Sequence, residues 1–423
     1  MRILHISTRL IVGGSQENTI LSCMGQARAR HEVHLAFGPI FGPEGSMLPD
    51  IEAFNHSLRA ATNHSTITPI TTHLVPDLVR PIDPFKDLRA YRQLRALIRR
   101  IDPDVVHTHS SKAGILGRAA AWAQGGRQGR PRVVHTIHGP PFHRYESALR
   151  NRLYITLERA AARRCHAIVS VADAMTEQFR AAGIGAPHQF VTVRSGMDVG
   201  AFAAPPAPGE SRDEVRRSLN LDPDHIVIGT VARLAELKGH DDILDALEDD
   251  LRADPRLRLL WVGDGYWTER LTARLLRSEL RSRVVMTGLV PPARVPVMLR
   301  AMDMLVHASY REGLPRVVPQ ALLTGLPVVA YDVDGTREAC IDALRDPHRG
   351  TGRLAPAGDV AALRDAIRWT IADPARARAA AQRGRDLCQH LFSLSAMIEG
   401  LDRVYRAAPD TTPHAPLTTL PAR

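Results

Sequence analysis

The chain has 423 residues, 44% of them hydrophobic and 24% charged, so it can form two or three packed domains and is neither a small module nor a disordered tract. No apolar stretch approaches the roughly 18 residues that span a bilayer, which excludes an integral membrane protein. The whole net charge of +10 lies in residues 1–200, with 25 basic and 15 acidic side chains, because residues 201–423 hold 30 of each.

Short apolar runs alternate with longer amphipathic stretches along the chain, which is typical of parallel sheets joined by crossover helices. In the first half the predicted strands are residues 2–7, 32–37, 105–108, 133–137, 167–171 and 190–193. In the second half they are residues 226–231, 257–262, 284–287, 304–307 and 328–331. Residues 53–81 have weak periodicity and are interpreted as one strand with long loops. The sequence therefore predicts an α/β fold of two doubly wound units in series.

Changes in composition predict the domain borders. Residues 200–211 are rich in Pro, Gly and Ala and are the predicted linker. We expect an N-terminal domain at 1–199, completed by a C-terminal helix at 390–407, then a second domain at 212–389 and a disordered tail at 408–423. The four cysteines lie far apart without metal-ligand spacing, which indicates a reducing compartment, the cytoplasm.

The helix predicted at residues 85–101 has an apolar stripe and a strongly basic side. It fits an ordinary crossover helix with solvated cations or a helix that lies on a membrane surface. The basic first half leaves three acidic partners open: a phosphorylated acceptor, an anionic leaflet or nucleic acid. A solvated Arg-rich surface would account for the same charge.

Ligands bind open parallel sheets at the carboxyl ends of the strands, so the loops that follow the strands are the candidate binding loops. After the first strand, Gly13 and Gly14 would let a ligand approach the backbone closely, and the free amides of the helix start could bind an anion there. After the strand at 226–231, Arg233 and Lys238 precede a helix and suit a diphosphate. Each pattern also fits a tight turn or a pair of surface cations.

The most specific segment is EGLPRVVPQAL at residues 312–322. Gly313 allows close approach, and Pro315 suits the first turn of a helix whose free amides would face phosphate. Glu312 and Gln320 can hydrogen-bond a polyhydroxylated ligand. An acidic residue is also favoured before any helix start, so Glu312 alone is ambiguous.

Six segments in sequence order extend this pattern: HTHSSKAGILGR, HTIHGPPFH, GTVARLAELKG, WVGDG, TGLV and EGLPRVVPQAL. Over roughly residues 1–407 the chain resembles the retaining glycosyltransferases of family 4. The resemblance implies the GT-B fold, in which two Rossmann-like doubly wound parallel-sheet domains face a cleft. It also implies a hexosyltransferase that moves a sugar from a nucleotide-diphosphate donor, a UDP-sugar, to a lipid-linked or cell-envelope glycan.

The resemblance implies a donor site in the second domain. Arg233 and Lys238 would bind the diphosphate, and Glu312 would contact the transferred sugar. Further donor contacts are predicted at Gly14, Gly263, Leu289, Gly313, Leu314 and Gln320. The commoner family pattern has a second Glu where this chain has Gln320, and an amide lacks the charge that strengthens a bond to the ribose hydroxyls.

In the first domain the resemblance implies that His138 lies near the reacting carbon. The predicted catalytic residues are therefore His138, Arg233, Lys238 and Glu312. An acceptor site is predicted between a strand and the next helix, at His109, Ser110 and Lys112. Lys112 could equally well be an ordinary solvent-exposed lysine. His135 is expected to be a core histidine.

Fixed cations and amides would stabilise the departing diphosphate, and no carboxylate is clearly placed for a covalent displacement. The resemblance therefore implies retention of configuration without a metal or another cofactor. Asp332 and Asp334 match the DxD spacing of metal-dependent glycosyltransferases, but three residues are a poor signature. We expect a cytoplasmic enzyme, peripheral on the inner face of the plasma membrane.

Two other functions remain open on the sequence. A nucleotide-sugar epimerase shares the fold and rearranges its sugar without an acceptor. A nucleic-acid-binding protein would use the basic half, but aromatic residues are only 5% and no recognition motif is present, so no nucleic-acid partner is predicted. A redox Rossmann enzyme is disfavoured because no GxGxxG follows either first strand.

Overall fold

The computed structural model describes residues 1–40, 45–60 and 67–407, so the predicted tail at 408–423 lies outside the described residues. The chain divides into two compact units. Unit 1 contains Met1–Met197 and the C-terminal segment from Ser393, and unit 2 is Asp198–Phe392. Each unit is built on one parallel sheet, which confirms the predicted α/β class with two doubly wound sheets.

The strands of unit 1 are β1 (Arg2–Ser7), β2 (Glu32–Phe37), β3 (Thr71–Leu74), β4 (Val105–His109), β5 (Arg132–Ile137), β6 (Ala167–Ser170) and β7 (Phe190–Thr192). Their order in the sheet is β3-β2-β1-β4-β5-β6-β7. The strands of unit 2 are β8 (Ile226–Val231), β9 (Leu257–Val262), β10 (Val284–Met286), β11 (Met304–His307), β12 (Val328–Tyr331) and β13 (Arg353–Ala355). Their order is β10-β9-β8-β11-β12-β13.

Helices connect the strands. The first six are α1 (Gly14–Arg28), α2 (Leu48–Ala60), α3 (Pro84–Ile101), α4 (Ser111–Ala123), α5 (Ala148–Ala162) and α6 (Asp173–Ala181). Unit 2 contains α7 (Val199–Ala203), α8 (Arg212–Ser218), α9 (His240–Ala253), α10 (Thr268–Arg277), α11 (Val295–Arg300), α12 (Val317–Leu323), α13 (Val360–Ala372) and α14 (Pro374–Leu391). Helix α15 (Leu394–Arg406) returns to unit 1.

Both faces of the central strands are covered, which explains their continuous apolar runs. In unit 1, Leu4 and Ile6 of β1 pack against α3 and α4 on one face. On the other face, Ile3 packs in a cluster with residues of α15. In unit 2, the fully buried Trp261 of β9 shares its core with residues of α9, α10 and α13.

Each predicted strand agrees with an observed strand to within one residue at either end, but three elements differ from expectation. Residues 53–81 contain the end of α2 as well as the expected strand, β3. The short strand β13 was missed because Gly and Pro surround its three residues. Residues 200–211 are not a free linker: they begin in α7, they belong to unit 2, and Arg300 donates to the Ala204 carbonyl at 2.9 Å.

Candidate active site

Two of the predicted donor residues meet in unit 2, at the carboxyl end of its sheet. Lys238 Nζ lies 2.6 Å from Glu312 Oε1 and donates to Ser309 Oγ at 3.4 Å. His307, the last residue of β11, has Nε2 3.2 Å from the same carboxylate oxygen. The loops after β8 and β11 therefore bring a cation, a carboxylate and a hydroxyl to the imidazole at the end of β11.

The surroundings of Glu312 decide its charge. Burial would raise the pKa of this carboxyl, but the Lys238 ammonium and the His307 ring outweigh burial and hold the pKa well below its usual range. Glu312 is therefore ionised at neutral pH and can accept hydrogen bonds from sugar hydroxyls.

The loop that carries Lys238 is fixed by close backbone packing. Leu237 and Gly239 both have positive φ, 64° and 71°. A Cβ at Gly239 would lie 1.9 Å from the Ala308 carbonyl oxygen, so only glycine fits. Tyr310 N donates to the Leu237 carbonyl at 2.9 Å. The sequence signal K-G before a helix thus has a steric cause as well as an electrostatic one.

Asp334 holds the loop of Glu312 in place by a hydrogen bond. The sequence had singled out this residue only as part of the DxD match. Its Oδ2 accepts a hydrogen bond from Glu312 N at 2.6 Å, and Gly335 N donates to the Gly313 carbonyl at 3.1 Å. Asp332 instead pairs with Arg337 at 2.5 Å. The sequence did not predict these positions for His307, Ser309 and Asp334. His307 ends a strand, and the other two lie in loops within three residues of a strand end, which is the signal that could have found them.

The other predicted donor positions lie on neighbouring loops of unit 2. Gly263 has φ 138°, and a Cβ there would lie 2.1 Å from the Ala232 carbonyl oxygen, next to the exposed Arg233. Gly263 N donates to the Gly288 carbonyl at 3.0 Å, which places Leu289, 49% exposed, on the adjacent loop. Three further predicted contacts are buried around the start of α12: Gly313, Leu314 and Gln320.

The candidates in unit 1 form hydrogen bonds within that unit. His109 is 2% exposed and bonds to His5 and His138, with nitrogen-to-nitrogen distances of 2.9 and 3.1 Å. Ser110 Oγ lies 2.7 Å from Thr8 Oγ1, and Lys112 Nζ lies 2.6 Å from an Asp87 oxygen. The acceptor role of His109, Ser110 and Lys112 stays a prediction.

Gly14, the predicted donor contact in this unit, is exposed at the first position of α1.

Two family models match the chain. The model described as Glycosyltransferase Family 4 matches residues 12–200, and the model described as Glycosyl transferases group 1 matches residues 211–387.

Curated relatives agree with these matches. The GDP-mannose-dependent alpha-mannosyltransferase of Mycobacterium tuberculosis is 33% identical over 296 residues, which is 69% of this chain and 71% of the relative. The UDP-Gal:alpha-D-GlcNAc-diphosphoundecaprenol alpha-1,3-galactosyltransferase of Escherichia coli is 29% identical over 271 residues, 63% of this chain and 67% of the relative.

Solved structures show the same fold. Anabaena Alr3699/HepE in complex with UDP-glucose superposes with a TM-score of 0.74 at 20% identity, over 96% of this chain and 99% of that one. The comparisons place the chain with glycosyltransferases. The chain therefore belongs to the group 1 glycosyltransferases of family 4, with the GT-B fold, and is a glycosyltransferase.

Proposed function

We propose that this glycosyltransferase takes a hexose from a UDP-sugar and passes it, with retention and without a metal, to a polyprenyl-linked or other cell-envelope glycan. The observation that carries the proposal is the 2.6 Å contact between Lys238 and the ionised Glu312 at the end of the unit 2 sheet. The names of the similar proteins support it, since one relative acts on a diphosphoundecaprenol-linked sugar and one neighbour was solved with UDP-glucose.

The chemistry follows from the positions of the charges. When the bond between the sugar and the diphosphate breaks, negative charge grows on the phosphate oxygens, and Arg233, Lys238 and the amides after Glu312 would stabilise it. Glu312 would hold sugar hydroxyls, and His138 of unit 1 keeps the catalytic role that the family resemblance implies. With these cations present, the leaving diphosphate needs no divalent ion. Asp332 and Asp334 both have protein partners, which also favours a metal-independent reaction.

A screen of nucleotide sugars tests the donor assignment. We expect one UDP-sugar to be turned over by the full chain, with activity unchanged by EDTA and with the anomeric configuration of the donor kept in the product. Lys238→Ala and Glu312→Gln should each lower kcat/KM at least 100-fold. Glu248→Gln, on the outer surface of α9 and paired with Arg252, is the matched control. Equal turnover in all variants would refute the assigned site.

An anionic membrane surface is the second part of the proposal, and the start of α3 supports it. None of the helices in the described ranges has both the length and the apolar composition of a bilayer span. Beside α3, however, Ile82 is 70% exposed, and within it Phe85 is 81% and Leu88 is 48% exposed, next to the cations Lys86 and Arg89. Such a surface suits a lipid-linked acceptor at the inner face of the plasma membrane.

The cysteines are unpaired and buried, which fits the cytoplasm.

Vesicle flotation tests this part. The full chain should bind phosphatidylglycerol vesicles better than phosphatidylcholine vesicles, and Phe85→Ser with Arg89→Gln should weaken that binding severalfold. Arg385→Gln in unit 2 removes one cation elsewhere and serves as the control. Unchanged binding in the α3 variant would remove the membrane part without affecting the donor assignment.

A further inference from the structure

A continuous row of hydrogen-bonded side chains runs through unit 1 from His138 inward. His138 Nε2 lies 3.1 Å from His109 Nδ1, and His109 Nε2 lies 2.9 Å from His5 Nδ1. His5 Nε2 is 2.7 Å from Gln26 Oε1. Strands β1 and β4, the loop after β5, and helix α1 each supply one of these four side chains.

The row continues beyond Gln26 into the core. Gln26 Nε2 donates to the Tyr405 hydroxyl at 3.0 Å, and that hydroxyl lies 2.6 Å from His107 Nδ1. His107 Nε2 lies 2.6 Å from Thr136 Oγ1. Tyr405 is in α15, so the segment that returns to unit 1 at the end of the chain completes the row.

The amide of Gln26 gives the row a direction. Its carbonyl oxygen can only accept, so His5 must carry its proton on Nε2 and accept at Nδ1. His109 then donates from Nε2 and accepts at Nδ1, and His138 donates from its own Nε2. This assignment requires neutral rings. Burial lowers the pKa of His5 to about 4 and those of His107 and His109 well below the usual value.

We propose that His109, His5 and Gln26 are positioning residues that hold the ring of His138 in one orientation and in the Nε2–H tautomer. In that tautomer Nδ1 of His138 carries a lone pair and no proton, so the ring can accept a hydrogen bond at that atom but cannot donate one there. The functional consequence rests on the proposed role of His138, whereas the tautomer itself does not.

A buried metal site is the competing interpretation of the same residues. Ligand atoms of His5, His107 and His109 all lie within 4.8 Å of one another. Both ring nitrogens of each residue, however, already have a side-chain partner at 2.6 to 3.1 Å. A metal ion would need lone pairs from three rings and would break several of these bonds, so the hydrogen-bonded row accounts for the cluster better.

Nitrogen-15 NMR of the full chain with labelled histidine tests the proposal. The His138 signal is assigned as the one that His138→Gln removes. We expect His138 to show one neutral tautomer, protonated at Nε2. In His109→Leu the signal should move to the average of two tautomers. In His109→Asn the amide oxygen can replace Nδ1 as the acceptor and should restore the Nε2–H signal.

Kinetics and a matched variant complete the test. His109→Leu should lower kcat about tenfold with little change in the donor KM, and His109→Asn should recover most of it. His135→Leu is the control, because His135 is equally buried but bonds to Thr108 outside the row. Three results would refute the proposed hydrogen-bonded row. They are an Nδ1–H tautomer of His138 in the parent, an equal change of the His138 tautomer in His135→Leu, and one zinc ion per purified chain. The expected tautomer with unchanged kcat in His109→Leu would overturn the positioning role alone.

Discussion

At the residue scale, Glu312 is a carboxylate that burial disfavours and two neighbours keep charged. A lysine and a histidine meet one of its oxygens, at 2.6 and 3.2 Å. The sequence predicted both Lys238 and Glu312 as donor residues, but no local pattern could show that they touch, because they are 74 positions apart.

The charge of Glu312 leads to a prediction on pH dependence. Its pKa in the folded chain lies below the ordinary value of about 4.3, so the carboxylate persists as the pH falls from 8 to about 5. The ratio of kcat/KM between the parent and Glu312→Gln should therefore stay constant over that range. Donor turnover measured in overlapping buffers checks this. A ratio that falls severalfold towards pH 5 would mean that burial, and not the two neighbours, determines the pKa of Glu312.

Asp334 and Asp332 allow a second prediction at this scale. Asp334→Ala removes the acceptor of the Glu312 amide and should lower kcat/KM by about tenfold to 100-fold, equivalent to roughly 1.4–2.8 kcal/mol. Asp332→Asn affects only the two bonds to the exposed Arg337 and should stay within threefold of the parent. Steady-state kinetics with and without Mg²⁺ check both variants. Equal losses that depend on Mg²⁺ would instead indicate a DxD metal site.

At the scale of elements, the residues of the candidate site lie in the loops between strands and helices. Contacts of helices in the same unit fix the positions of these loops. Tyr310 and Tyr331 both donate to Asp242 in the first turn of α9, at 2.5 and 2.6 Å. These bonds tie the helix after the Lys238 loop to β12 and to the loop after β11. The sequence predicted α9, but the tyrosine pair depends on the order of strands in the sheet.

Helices α4 and α5 are joined by an ion pair that is almost fully buried, between Arg118 and Glu158 at 2.7 Å. Glu158→Ala should lower the free energy of unfolding of unit 1 by about 3–5 kcal/mol, because it leaves a buried guanidinium without its partner. Arg118→Met with Glu158→Leu should cost less than the single change. Native-state hydrogen exchange of the unit 1 strands measures both.

The exposed pair of Arg150 and Glu146 is the control for that experiment. Arg150→Ala should change the free energy of unfolding by less than about 1 kcal/mol. A double variant that is as unstable as Glu158→Ala would show that the lost volume, and not the unpaired charge, causes the effect.

At the scale of the whole molecule, buried histidines are concentrated in unit 1. Burial lowers the pKa of His5, His107, His109 and His135 there. The unfolded chain protonates such rings near pH 6.5, whereas the folded unit resists protonation until about pH 4 or lower. Their contribution to stability is therefore present above pH 6.5 and is lost as the pH falls below it.

Unit 1 should consequently lose stability on acidification from pH 6.5 to 4.5, by up to about 1.4 kcal/mol per pH unit for each such histidine. Hydrogen exchange at a series of pH values, corrected for intrinsic rates, should show this loss in β1, β4 and β5. His135→Gln should reduce the slope, and His56→Gln, on the exposed side of α2, should not. The same pH dependence in both variants would contradict the prediction.

The sequence by itself determined the two parallel sheets, the ends of nearly every strand and the loops that carry the predicted donor residues. Alternation of apolar runs and the residue types after a strand are local properties, so they can be seen in neighbouring letters. Only the tertiary structure decided that Asp334 holds the Glu312 loop, that Lys112 pairs with Asp87, and that His138 leads into a row ending in the core. These contacts join distant segments through strand order and the return of α15, which no local pattern encodes.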